Sequence, residues 1–262
     1  MKLFRAALWC EFLKARRSPV PWLAGFGFCL VPLAGGLFMW ILKDPERARA
    51  MGIISVKAQI AAGVADWPAM LGYLAQGIFG GGGIISAFVT AWVFGREFSD
   101  HTAKEVLAVP ASREATVLSK FVVIVVWGAV FTSLVFVVGL VVGAAVVLPD
   151  WSQALLWQSI RIDAMIACLT LALMSPVALF ACIGRGFLPA LGWTILTVAL
   201  AQIAAATGWG DWFPWSVPAL LSQAGSPRAT PLGPHSYIAV ALVSLAGLIA
   251  TLVWWRGADQ TR

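Results

Sequence analysis

Charge is scarce in this sequence. Only 11% of its 262 residues are Asp, Glu, Lys or Arg, against about 25% in a soluble domain, and 60% are hydrophobic. That balance argues against a water-soluble domain and for an integral membrane protein. Histidine is nearly missing as well, at His101 and His235 only, and neither falls in a long apolar run. This excludes a HExxH zinc helix. It also leaves Ser86, Ser133 and Ser175 without a base in readable range for nucleophilic chemistry. No long apolar run holds a carboxylate, which removes intramembrane acid dyads and counts against a proton- or ion-coupled carrier. Asp163 and Arg161, just ahead of the fourth run, are the nearest candidates for such a group, but two residues apart they do not face each other and read rather as helix-end anchors. The phosphate loop GxxxxGK[ST] is absent, so ATP is not expected to bind this chain by that device. Cys10, Cys29, Cys168 and Cys182 have no metal-like spacing and read as small packing residues. The chain therefore reads as a non-enzyme without a metal or cofactor of its own.

Long apolar runs are what the sequence does have. A membrane helix needs about 20 mostly apolar residues. Six stretches qualify: Val20–Leu42, Met70–Phe94, Phe121–Val147, Ala164–Ile183, Phe187–Gly208 and Tyr237–Trp255, none with Lys, Arg, Asp or Glu. They do not alternate as barrel strands do. The fold class is all-α, with residues 1–19 as an N-terminal interfacial helix and 20–262 as one six-span membrane domain. The first run is longer than a leader core and reads as span one. Basic residues set the orientation. The N-terminus, the loop after span two, Arg185 and the tail carry 12 Lys and Arg, and the other side carries 6, so both termini are expected in the cytoplasm, with the chain in the inner membrane. The net charge of +6 is mostly this bias and implies no nucleic acid.

Three segments stand out. Met1–Ser18 is an imperfect amphipathic helix: Leu3, Phe4, Ala7 and Leu8 share a side, and Glu11 falls on that apolar side. Gly80–Gly83 in span two reads either as tight packing or as a flexible point, and Gly139 and Gly143 form GxxxG in span three. Trp209–Ser236, rich in Trp and Pro, reads either as a loop that re-enters the membrane or as an interfacial aromatic belt. The densest charge lies in Gly95–Lys120, "GREFSDHTAKEVLAVPASREATVLSK". Ser99, Asp100 or Thr102 can cap a helix there, Pro110 stops it near Val109, and a second helix starts around Ser112 and runs into span three.

Within that segment Glu97, Phe98, Thr102, Lys104, Leu107, Pro110, Ser112, Arg113 and Lys120 form E-F-x-x-x-T-x-K-x-x-L-x-x-P-x-S-R-x-x-x-x-x-x-K, and Glu11, Lys14 and Arg17 form E-x-x-K-x-x-R. Both patterns resemble those of the type-2 exporter permeases of the ATP-binding-cassette (ABC) superfamily, and the six-span plan is similar throughout. His101 departs from the glycine common before the Thr. The resemblance implies a cytoplasmic coupling helix after span two seated on a separate ABC ATPase subunit, with ATP and Mg held in that partner. Glu97, Thr102, Lys104, Leu107, Pro110, Arg113 and Arg185 would make the contact. It implies a second permease copy or paralogue in a lipid membrane, with spans two and five lining the path, where Gln76, Thr90, Thr194, Thr197 and Gln202 are the polar candidates. The apolar spans suit a hydrophobic or amphipathic cargo such as a drug, lipid or peptide antibiotic. The rival reading is a non-transporting immunity, sensor or assembly scaffold on the same six-span body.

Overall fold

The computed structural model describes residues 2–44, 64–100, 102, 112–223 and 231–257. The described residues form helices and no strand. They are α1 (Lys2–Arg17), α2 (Pro19–Lys43), α3 (Trp67–Ser99), α4 (Arg113–Val146), α5 (Gln153–Ala172), α6 (Met174–Ile183), α7 (Phe187–Ala206), α8 (Val217–Ser222) and α9 (Pro234–Gly257). Taking α5 and α6 as one interrupted span, six are long and apolar enough to cross a membrane. The chain is a multi-pass membrane protein.

Local chemistry sets the ends. Ser18 Oγ accepts the Val20 N–H, and Pro19 opens α2 where its missing N–H costs nothing. Asp66 Oδ1 accepts the Ala69 N–H at 2.7 Å at the start of α3. Ser112 does the same for Ala115, so α4 begins at Arg113, as the Ser-Arg-Glu start predicts. Lys43 Nζ donates to the carbonyls of Val146 and Val147 and closes the far end of α4. With 33 and 34 residues, α3 and α4 are each about 50 Å long and exceed the roughly 30 Å hydrocarbon core. Both must tilt or project beyond it.

The fourth span departs from expectation. Ser152 caps a helix that starts at Gln153, not at Ala164, because the polar stretch 153–163 is amphipathic and packs one face inward. Asp163 is therefore the eleventh residue of α5 and lies inside the span. The helix breaks at Leu173, just ahead of Pro176, which has no N–H to offer. Ser175 Oγ bridges the break to α9 by donating to the Ser244 carbonyl at 2.6 Å.

Packing centres on α3, which touches α2, α4, α5, α6, α7 and α8. The GxxxG pair of α4 faces α3 within this chain. A Cβ on Gly139 would lie 2.3 Å from Leu74, and one on Gly143 would lie 2.6 Å from the Trp67 ring, so the two glycines make room for those side chains. After α7 the chain folds back into the bundle. A single 3₁₀ turn (Pro214–Ser216) leads into α8, whose Val217, Leu220 and Leu221 are buried, and α8 packs against α5 and α3. Ser216 Oγ ties this return to the Ala201 carbonyl. Residues 209–223 of the Trp209–Ser236 stretch thus pack on the bundle. Its ends meet where His235 Nε2 lies 3.1 Å from Asp211 Oδ2, under the Trp212 ring.

Candidate functional site

Four charged side chains from three helices converge at the end of α3. Lys120 of α4 is fully enclosed, and its ammonium donates to Glu97 Oε1 at 2.8 Å, the Val93 carbonyl at 3.0 Å and Glu11 Oε2 at 3.2 Å. Three donors meet three acceptors, which is the full capacity of an ammonium. Lys14 of α1 donates to Glu97 Oε1 at 3.1 Å and to Glu11 Oε1. Two lysines thus balance two glutamates, and Phe94 covers the Lys120 ammonium at 5.9 Å. Glu11 sits on the apolar side of α1 because that side packs on α4, where Lys120 waits for it.

The helical period explains the convergence. Ala115, Thr116, Val117, Ser119, Lys120, Val123 and Ile124 are all buried on α4. Charges taken from water to such a place cost several kcal/mol each, and their mutual attraction roughly repays it. The arrangement therefore adds little net stability, but it fixes the register of α1, α3 and α4. Burial alone would lower the pKa of Lys14, yet the Glu11 and Glu97 carboxylates outweigh it and hold the value above the ordinary lysine range. The contribution of Lys14 is then complete below about pH 10.4 and is lost only as pH rises through the higher folded value. The difference in unfolding midpoint between the wild type and Lys14→Met is expected to stay constant across neutral pH and to shrink in strong alkali.

The same end is braced from the other side. Phe98 packs edge-on to Trp254 and against Trp255. Arg113 donates to the carbonyls of Trp255 and Arg256 at the close of α9, and Arg256 pairs with Glu114 at 2.8 Å. The α6–α7 turn also reaches this end: Gly95 approaches the Gly186 backbone so closely that a Cβ would lie 3.0 Å from it. Arg185 in that turn is exposed, with a left-handed φ of 50°.

The residues expected at the ATPase contact divide accordingly. Glu97 is 1% exposed and turned into the protein, so its carboxylate is an internal brace and not a surface contact. Thr102 bonds its N–H to the Glu97 carbonyl. Arg113 lies on the end of α9. Lys104, Leu107 and Pro110 lie outside the described residues. Of the expected path residues, Thr90, Thr194 and Thr197 are buried, with their hydroxyls on carbonyls of their own helices. They offer no donor to a passage in this conformation. Gln76 and Gln202 are exposed on α3 and α7.

Sequence reading missed the burial of Lys120, for which its place two turns after Arg113 on the apolar face was the available signal. Asp163, the nearest candidate for an intramembrane acid, reads as a helix-end anchor only because the boundary falls at Ala164 in the sequence, whereas α5 carries it inside the span. Among the described residues no group of three or more His, Cys, Asp or Glu could hold a metal ion.

Residues 7–201 match the family described as ABC-2 family transporter protein. A bacitracin transport permease protein of Bacillus licheniformis is 27% identical over 172 residues, covering 65% of this chain and 82% of that protein.

Proposed function

The chain belongs to the ABC-2 transporter family and is by that membership a permease subunit; from this premise we propose that it serves an ATP-driven exporter whose hydrolysis occurs in a separate ABC ATPase. One observation carries the reading: the buried Glu11–Lys14–Glu97–Lys120 network at the root of the segment 101–111. An element that receives force from a partner must be joined stiffly to the helices it moves. The network locks α1, α3 and α4 at the point where that segment leaves α3 and rejoins α4. Movement of the ATPase then tilts the three helices together. The basic bias supports a cytoplasmic position for this end, at the inner membrane and within reach of ATP. A second permease completes the path against α3 and α7, whose outer faces carry Ile84, Phe88, Ile195 and Ile203 exposed. The apolar spans and the bacitracin permease relative point to an amphipathic cargo, such as a peptide antibiotic.

The test is a pull-down of the tagged chain in mild detergent from its host, with ATP turnover assayed on the eluate. An ATPase subunit is expected in about equal amount. Leu107→Asp is expected to remove it and the turnover while the permease still inserts. Recovery of a clean permease with no ATPase from the wild type would overturn the reading in favour of a scaffold. Normal assembly of Leu107→Asp would overturn the docking position alone.

A further inference from the structure

Asp163 is the one carboxylate placed deep within an apolar span among the described residues, about 15 Å along α5 from its start. Its side chain is 3% exposed, and both oxygens are sealed from solvent with no hydrogen-bond partner. An ionised carboxylate in that position costs far more than a fold can offset, so something must neutralise it.

The neighbours do not. Helices α3, α4, α6, α8 and α9 pack against α5. On α3, Arg96 and Glu97 lie at the far end, and Tyr73 stacks on Phe38 of α2. On α4, Arg113, Glu114 and Lys120 lie at that same far end, with Lys120 committed to Glu97 and Glu11. Neither α6 nor α8 contains Lys, Arg, Asp, Glu or His, and Cys182 of α6 accepts from Trp255. On α9, His235 pairs with Asp211, Tyr237 lies at the helix start, and Arg256 is at the far end with Glu114. On α5 itself, Arg161 is exposed and bonds the Trp157 carbonyl, and Cys168 is exposed.

We propose that Asp163 is a cation-accepting site inside the membrane domain: its carboxylate takes up a small positive species, a proton or a bare monovalent cation, that the described residues do not supply. Both oxygens are closed to solvent, so no larger species reaches them without a movement of the helices. Its stripe on α5 continues through other buried polar groups, Ser159 one turn before and Thr170 two turns after. The Thr170 hydroxyl is likewise unpartnered and borders a cavity of about 10 Å³ shared with Ser86 and Thr132, at the limit for one water. That cavity lies beside the glycine run of α3, where a Cβ on Gly83 would meet the Thr170 methyl at 3.6 Å.

Infrared difference spectra of the chain in lipid nanodiscs at neutral pH, wild type minus Asp163→Asn, test this without any partner protein. A carboxylic-acid carbonyl band in choline chloride identifies the proton as occupant. A carboxylate band that shifts when potassium or sodium chloride replaces choline identifies the metal cation. Either supports the site. A carboxylate band indifferent to the exchange overturns it. Asp163→Glu, expected to keep the band at a displaced frequency, serves where the Asn variant misfolds.

Discussion

Lys120→Met is expected to destabilise the protein by about 3–5 kcal/mol, the cost of stranding buried partners when one member of an ion pair is removed. Glu97 and Glu11 would keep their carboxylates at 1% and 6% exposure, with only Lys14, itself at the edge of the site, to answer both. Arginine is no remedy, since the enclosed ammonium points its three donors at three fixed acceptors and a planar fork cannot follow. Replacing the whole set with apolar residues of similar volume is expected to return stability close to wild type. Unfolding midpoints of the single, paired and complete replacements in detergent measure this. A Lys120→Met protein that unfolds with the wild type would show that the network does not hold the three helices. If the complete apolar replacement folds normally, its assembly with the proposed ATPase separates registry from stability.

The second large effect concerns Gly247. Helix α9 crosses the break between α5 and α6 there, and a Cβ would lie 2.6 Å from the Pro176 nitrogen and 2.8 Å from the Ser175 carbonyl carbon. Both obstacles are backbone, so neither can rotate away. Gly247→Val must push α9 off the break and pull Ser175 Oγ from the Ser244 carbonyl. Overpacking alone costs about 1–3 kcal/mol, and the lost bond adds about 1 kcal/mol. Gly80→Ala is the control, because nothing lies within 4 Å of its added methyl. Helix propensity favours alanine there by about 1 kcal/mol. Thermal denaturation of both variants should move in opposite directions. A Gly247→Val protein as stable as the wild type would contradict the close crossing.

The spans were legible because a long apolar run without charge has one physical use, and the start of α4 was legible because Ser112 announces a cap. Other features were not. Lys120 ends a charged segment in the sequence, and only the pairing across α1 and α3 explains how a lysine can be enclosed. Asp163 follows Arg161 in a polar stretch that reads as a helix end, whereas the fold extends α5 upstream and turns that face inward. The GxxxG of α4 is visible in the sequence, but that it receives Leu74 and Trp67 of the same chain follows from packing alone. Glu97 stands out in the sequence through its motif, whereas its burial against Lys120 and Lys14 follows only from the packing of α1, α3 and α4.

The network also sets a schedule. Glu11 and its partner Lys120 are 109 residues apart. At roughly 5–20 residues per second of synthesis, the ribosome needs on the order of 5–20 s to deliver the lysine after the glutamate. For that interval α1 lacks its main packing partner, α4. The basic last turn of α1, with Lys14, Arg16 and Arg17, gives it a resting place on an anionic lipid surface meanwhile. Helix α1 thus docks only after α4 has been made.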